Sequence, residues 1–556
     1  MILPFSLLAE AWIPVLRADG AQDLIRPAAI TADLTTNPVV APAWGRADFD
    51  AATCEFLIGL LATTCGHRAD EDEWEAWFRS PPPPERLDEA FASVAPAFVL
   101  DGDGPRFGQD LDPLDEGEAR AVMQLLIEAP GANTVKRNLD HFVRRGGVET
   151  LSRAGAAMAL FTLQTYAPSG GAGHRVSVRG GGPLTTLLVP GPLRGEARDD
   201  PMPHRRTPIP LWRTLWLAVP HRREAVAPER VFPWLGPTRV SDKGRPTTPE
   251  DTDPLQAFWG MPRRIRLVVE PNPEARPCDL TGRIDAGVVR VYRTRPHGTS
   301  YAAFRHPLSP HYRAKPTEPF LPLHGQPGRV GYRHWVGLVA DGDGDNRLAA
   351  EAVTLARRRL GDLDASARLG TRLRAAGYDM DNMKAREFIE SEMPLHLVPG
   401  ELFAPYDRAV RRLVAGAREA DGLLRFFVRQ ATSVEKGGVL DLARARFWER
   451  TETAFGQALE DLSKNLRTGD AAPNLVSLGA ARAWLAVLQR TTAALFDDLI
   501  PLDGLDALGE RAIRARVKAR ADLGTAMHGW GKLGQGLFKA LDLAVPEVVK
   551  TRRKAA

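Results

Sequence analysis

The chain has 556 residues, too many for one ordinary hydrophobic core, so two or three domains are expected. Hydrophobic residues make up 44% and charged residues 26%, which fits a globular protein and excludes a largely disordered one. The net charge is only +4, and the excess sits in residues 401–556, which hold 25 Lys or Arg against 19 Asp or Glu; such a basic region suits contact with a polyanion without requiring it.

Cys54, Cys65 and Cys278 give neither an even framework nor a C-x-x-C pair, so a reducing compartment is expected, without disulfide stapling or a four-ligand zinc site. The N-terminal stretch contains Pro4, lacks an early positive charge and meets Glu10 too soon for a signal peptide. No run approaches the roughly 20 apolar residues of a membrane span. A cytoplasmic location follows as the expectation.

In chain order, residues 2–30 predict two short strands, with Trp12–Val15 ending the first and Ala18-Asp19-Gly20 turning the chain. Asp48–Cys65 predicts an amphipathic helix, with Phe56, Leu57, Leu60 and Leu61 at helical spacing. Trp74 and Trp77 mark a second helix that the proline run 81–84 ends. Residues 95–107 predict a strand pair around the DGDG turn, and 115–129 and 150–166 predict helices.

From about 200 to 330 proline and arginine are dense, and Trp212, Trp216, Trp234 and Trp259 are scattered among strand-like runs such as 264–269. Interleaved basic and aromatic residues can bind nucleic acid, or the tryptophans can be core and the arginines solvated. Residues 335–395 predict a return to helix, interrupted at 377–384. After Pro399-Gly400 four long helical patterns follow, at about 403–431, 440–466, 475–499 and 505–541. The first carries Leu402, Tyr406, Val410, Leu413, Ala417, Leu424, Phe427 and Val428 on one stripe, and short connectors such as 436–438 join the helices, the pattern of an antiparallel four-helix bundle.

The most distinctive stretch is 159–191, where an apolar helix stops at Pro168 and two glycine clusters, 170–173 and 180–182, flank His174–Arg179. Glycine clusters let a ligand or another backbone approach main-chain N–H groups closely. A dinucleotide fingerprint needs a strand before the glycines and a helix after them, the reverse of this order.

Enzyme motifs are scarce. The run 529–532 approaches a phosphate-binding loop, but Ala526 stands in place of the first glycine and Leu533 in place of Ser or Thr, so it reads as a helix containing glycines. Asp341, Asp343 and Asp345 have the spacing of a calcium loop, yet Asn346 replaces its glycine and Ala352 its last acid, which leaves a solvated turn. The 12 histidines form no H-E-x-x-H; His306 and His311 would need distant partners to bind a metal.

Taken together, W-I-P-V at 12–15, GANT at 131–134, the glycine clusters, Leu184-Thr185-Thr186, F-W-G-M-P at 258–262 and GYDMDNMK at 377–384 resemble the large subunit of the type I-E Cascade complex, the CasA family. The resemblance spans nearly the whole chain. It implies an α+β protein, with a large mixed α/β domain over 1–395 and the antiparallel four-helix bundle over 400–556.

It also implies a subunit without catalysis or cofactor. Such a subunit reads a short motif beside the DNA target from the minor groove, starts duplex opening and recruits a helicase-nuclease, while CRISPR RNA pairing reads the target. The implied DNA contacts are the loop Gly170, Gly171, Ala172 and Gly173, a basic finger near Arg295, and a wedge at Asp381, Asn382 and Met383. Asn133, Phe142 and Arg144 would contact the guide end or neighbouring subunits, the complex also containing backbone, small and guide-end subunits. The zinc-binding cysteine cluster of some members is not carried over, because only Cys278 lies in that region. Two alternatives remain: a metal-dependent nuclease or nucleotide hydrolase using Asp101, Asp103, Asp341 and Asp343, and a purely structural scaffold.

Overall fold

The computed structural model describes residues 3–137, 144–171, 173–193, 208–222, 226–242, 244–326, 328–342, 346–363, 365–381, 383–501 and 509–546, without the side chains of 71, 72, 132, 133, 366 and 369. The chain forms two units that interleave in sequence. The first comprises Met1–Arg329, Gly337–Arg359 and Leu373–Ser391; the second comprises Val330–Val336, Leu360–Arg372 and Glu392–Ala556.

The first unit opens with β1 (Ile13–Arg17) and β2 (Gln22–Ile25), turned by Gly20 at φ +89°, and β3 (Val39–Pro42) joins the other edge of β1. Trp12–Val15 therefore begins a strand instead of ending one. Helix α1 (Ala47–Cys65) is not amphipathic but buried on every face. With its extension to Arg68 it spans 22 residues and holds an 18-residue window of mean hydropathy 1.2, enough by length and composition to cross a membrane, contrary to expectation. Its most apolar window is 89% buried, as a core helix should be. Phe56, on α1, meets the rings of Trp12, Phe98, Phe107, Phe161 and Trp259 at centroid distances of 5.6–5.9 Å.

Helix α2 (Glu71–Arg79) stops before the proline run, and α3 (Pro84–Ala92) starts on its last proline, which needs no N–H there. The expected strand pair at 95–107 is instead a 3-10 turn, Ala95–Phe98, followed by a bend with Gly102 and Gly104 at positive φ. The expected helix at 115–129 contains β4 (Glu118–Ala121), because these residues pair with a later strand. The short α4 (Ala132–Lys136) and β5 (Leu151–Ser152) lead to α5 (Arg153–Tyr166), where the Ser152 hydroxyl caps the Gly155 N–H.

β6 (Thr185–Val189), α6 (Leu211–Leu217) and α7 (Pro228–Val231) follow. All four tryptophans of the proline-rich region are core: their indole N–H groups donate to Trp77 O, Trp74 O, Ala97 O and Thr63 Oγ1 at 2.7–3.1 Å. Strand β7 (Arg264–Pro271) runs antiparallel along β8 (Gly287–Arg295), whose other edge takes β4 and β5. A small sheet joins β9 (His311–Tyr312), β10 (Leu321–Pro322) and, after α8 (Trp335–Leu338), β11 (Arg347–Leu348).

Helices α9 (Glu351–Asp362) and α10 (Ala365–Leu369) begin as expected, but the helical reading fails beyond them. β12 (Arg372–Asp381) and β13 (Lys384–Pro394) form a hairpin whose β12 pairs with β6. Along β13 the buried Ile389, Ser391 and Met393 alternate with exposed Glu390 and Glu392, a period of two. Cross-strand ion pairs Arg374–Glu390 and Arg372–Glu392 fix the register.

The second unit is built on α11 (Phe403–Thr432), α12 (Val439–Thr468) and α13 (Pro473–Leu499), long helices with short connectors. Every residue of the predicted stripe from Tyr406 to Val428 is buried on α11, whereas Leu402 lies in the turn before it. The fourth predicted helix is two, α14 (Glu510–Met527) and α15 (Gly531–Ala540), broken where Gly529 and Gly531 take φ +87° and +74°. The run 529–532 is thus a break, not the interior of a helix. Tyr332 also enters this unit: its ring stacks on Phe455 at 4.1 Å, and its hydroxyl meets Thr451 Oγ1 at 2.6 Å.

One buried ion pair ties α1 to the glycine-rich stretch. Arg179, 2% exposed, donates from Nη1 to Glu55 Oε2 at 2.5 Å and from Nε to Ser309 Oγ at 2.9 Å. The hydroxyls of Tyr166 and Thr185 both donate to Glu55 Oε1, and burial, with the Glu55 charge second, pushes the Tyr166 phenol pKa well above its usual value. Removing one partner strands a buried charge. Arg179→Met should therefore lower stability by about 3–5 kcal/mol, and Glu55→Gln/Arg179→Met by distinctly less, as read from urea unfolding midpoints. A double variant as unstable as the single one would mean the charges are not what binds these elements.

Candidate nucleic-acid interface

Helix α5 ends where the Ala167 N–H caps Leu163 O and Pro168 follows. The chain then closes a tight turn, with Gly170 N donating to His174 O at 3.0 Å and His174 N to Gly171 O at 2.8 Å. The two glycine clusters do different work. In the second, a β-carbon on Gly182 would lie 2.6 Å from Tyr378 O, so this cluster seats the chain against β12. In the first, Gly171 takes φ +68° with nothing within 4 Å of where a β-carbon would be. It is the open corner of the loop; Ala172 lies outside the described residues.

Three stretches singled out in the sequence meet at one groove of about 270 Å³. Gly131 and Thr134 come from the GANT segment, Ser169 and Gly170 from the glycine loop, and Met383 and Lys384 from the hairpin tip. The GANT segment is short helix, its Thr134 N–H bonding back to Gly131 O at 2.9 Å. The tip is the two-residue connection of β12 to β13, so it projects from a paired strand; Met383 is 55% exposed and Asp381 is exposed. Asn382 lies outside the described residues, as do Phe142 and the Asn133 side chain. Tyr378 Oη donates to Asp48 Oδ2 at 2.6 Å and anchors the hairpin on α1.

The groove is basic. Its lining includes Arg120, Arg263, His174 and Lys384. Arg120 is paired with Glu118 at 2.8 Å, which raises its pKa. Burial pushes the Arg263 pKa down to about 10, still a cation at neutral pH. Burial, with the Arg263 and Arg120 charges next, pushes the His174 pKa down to about 4, so its imidazole is neutral.

Other expected site residues lie elsewhere. Arg295 is the last residue of β8, not a finger; it is paired with Glu116 at 3.3 Å and Asp112 at 3.9 Å, and the groove is lined by its neighbour Thr294. Arg144 is exposed in a turn outside the groove lining. Asp101 Oδ1 accepts the Phe5 N–H at 2.5 Å and Asp341 Oδ1 the Ala349 N–H at 2.8 Å, while Asp343 is outside the described residues. His306 and His311 are buried, and burial holds both neutral. Among the described residues no group of three or more His, Cys, Asp or Glu is arranged to hold a metal, and all three cysteines are free and buried.

A family model described as CRISPR-associated protein Cse1 matches residues 6–495, most of the chain. The chain belongs to the Cse1 family. No curated protein matches it. Among solved structures, Thermus thermophilus CasA (Cse1) is 17% identical, with 94% of this chain and 99% of that one covered at TM-score 0.64. Thermobifida fusca Cse1 is 18% identical, with 98% and 99% covered at 0.64. A chain of a CRISPR RNA-guided surveillance complex is 17% identical, with 94% and 100% covered at 0.63. The fold is that of Cse1 proteins.

Sequence reading missed Arg120 because its segment was taken for helix, and Arg263 because it lies one residue beyond the F-W-G-M-P motif. The His174 shift gives a measurable consequence. The folded state binds this proton less readily than the unfolded chain. His174 therefore contributes stability fully above pH 6.5 and loses it as pH falls toward 4. By NMR its imidazole should titrate near 4 and remain neutral between pH 8 and 6; titration near 6.5 would show that the groove is far more hydrated than this geometry implies.

Proposed function

We propose that this Cse1-family chain is the non-catalytic large subunit of a type I-E surveillance complex in the cytoplasm. In this reading it contacts CRISPR RNA and the backbone, small and guide-end subunits. It recognises the target-adjacent motif in double-stranded DNA, starts unwinding and recruits the helicase-nuclease. The observation that carries the reading is the convergence of the glycine loop, the GANT segment and the hairpin tip on one basic groove. The division into a mixed domain and a helical bundle at 395–400 is part of the same proposal.

The geometry suits a division of labour. Gly171 presents bare backbone, so it can enter a minor groove only ~6 Å wide and offer an N–H to its acceptors. That groove carries a degenerate code, so tolerant motif reading is expected. Met383 supplies an exposed apolar body beside the end of a paired strand, suited to insertion beside the motif at an unstacking cost of a few kcal/mol. Lys384 favours the phosphate-rich surroundings.

Two variants separate reading from opening. Asp tolerates the left-handed conformation of Gly171, so Gly171→Asp should leave the loop in place, put a like charge against DNA and weaken binding of motif-bearing duplex by about tenfold, the scale of one lost base contact. Asn382→Ala with Met383→Ala should impair binding to intact duplex and be rescued by a target already mismatched beside the motif. Equal rescue of both variants by that bubble in gel-shift titrations would remove a separate reading role from the loop. No rescue of the double variant would make the tip structural.

Recruitment is tested by pull-down. Target-bound complex lacking this subunit should fail to retain the helicase-nuclease, and retention would remove that role.

A further inference from the structure

Arg263 grips the glycine loop from inside. Its Nε donates to Arg175 O at 2.8 Å and its Nη2 to Pro168 O at 2.5 Å, so one planar guanidinium joins the two ends of the turn. The residue is itself fixed by Gln164, 4% exposed, whose Oε1 accepts the Arg263 N–H at 3.0 Å and whose Nε2 donates to Arg263 O at 2.9 Å and Gly108 O at 3.0 Å. A β-carbon on Gly170 would stand 2.8 Å from both Arg263 Nη1 and His174 Cβ. The guanidinium and the His174 side chain together fill the space that a side chain at Gly170 would need. Among the described residues, the groups that act on its charge are the Tyr292 phenol and the Arg120 guanidinium.

From this geometry we infer that Arg263 is the positioning residue of the glycine loop: it fixes the height at which Gly171 is presented, and Gly170 lacks a side chain to admit Arg263 and His174, not to admit a ligand. The inference rests on the reading of the loop as the motif contact. Only arginine has the fork for this task. A lysine ammonium has no planar fork to meet both carbonyls at these angles, and an apolar side chain leaves the two carbonyls to water. An unlatched loop would still be covalently present but would sample many heights, and a backbone contact in a narrow groove does not survive that freedom.

The test uses the full chain. By hydrogen–deuterium exchange, Arg263→Met should speed exchange of the 170–175 amides by about tenfold or more while those of α11 stay unchanged, and Arg263→Lys should fall between. Gly170→Ala crowds both the guanidinium and His174 Cβ and should also speed exchange; combined with Arg263→Met it should add less than its effect alone, because the contact with the guanidinium has gone and only that with His174 remains. If Arg263→Met does not fold, Arg263→Lys and Gly170→Ala carry the comparison. In assembled complex, Arg263→Met should lower the ratio of affinities for motif-bearing over motif-free duplex. Unchanged loop exchange, or fully additive effects in the pair, would overturn the latch. Faster exchange with an unchanged affinity ratio would keep the latch and remove the motif-reading role of the loop.

Discussion

The ion pair between Glu55 and Arg179 is the constraint on which the first unit depends. Glu55 is a carboxylate in the middle of a helix buried on every face, a place where an uncompensated charge is not tolerated. Arg179, Tyr166 and Thr185 answer it together, and all three belong to the chain running into, along and out of the glycine-rich stretch. Because such a network is costly when half satisfied, it fixes one arrangement of that stretch against α1. Seven residues before Glu55, Asp48 takes the Tyr378 hydroxyl and places the hairpin. Two walls of the groove therefore take their positions from one core helix.

What the sequence made legible follows from how local each signal is. The bundle helices show 3.6-residue periodicity over some thirty residues, and the stripe read on α11 is buried from Tyr406 to Val428. Strand β4 pairs with β8 and β12 pairs with β6, both distant in sequence, so local patterns suggested helix there; β13 pairs with β12 next to it. On β13 the alternation of Ile389, Ser391 and Met393 with acids was visible, but a buried serine disguised its apolar face. Tryptophans among arginines allowed two readings, and only the indole N–H partners decide for core. The groove arginines were invisible for the same reason as the strands: Arg263 has meaning only beside carbonyls some ninety residues earlier.

At 17–18% identity to solved Cse1 structures the fold persists, and the motifs that carried the resemblance show why so few residues suffice. They sit where geometry leaves little choice. A β-carbon on Gly377 would lie 2.5 Å from Pro183 O. Phe258, Trp259 and Met261 are core, and the Trp12 indole donates to Leu7 O at 2.7 Å. Exposed helix faces carry no comparable demand and can vary at a cost of tenths of a kcal/mol. A family defined by such points looks faint in overall identity and distinct in its close contacts.

The groove's chemistry also bears on how strongly the proposed reader could hold DNA by itself. Arg263 directs two donors to protein carbonyls, Arg120 is paired with Glu118, and His174 is neutral, so Lys384 is the lining cation left for a phosphate at full strength. Phosphate neutralisation supplies most non-specific affinity, and a site with so few available cations gains little of it. A weak, shape-dependent contact is what a search for short motifs requires, since a surface that bound every duplex tightly would dwell on the wrong ones. Commitment then has to come from elsewhere, and in the proposed assembly it comes from guide pairing once the hairpin tip has opened the first step.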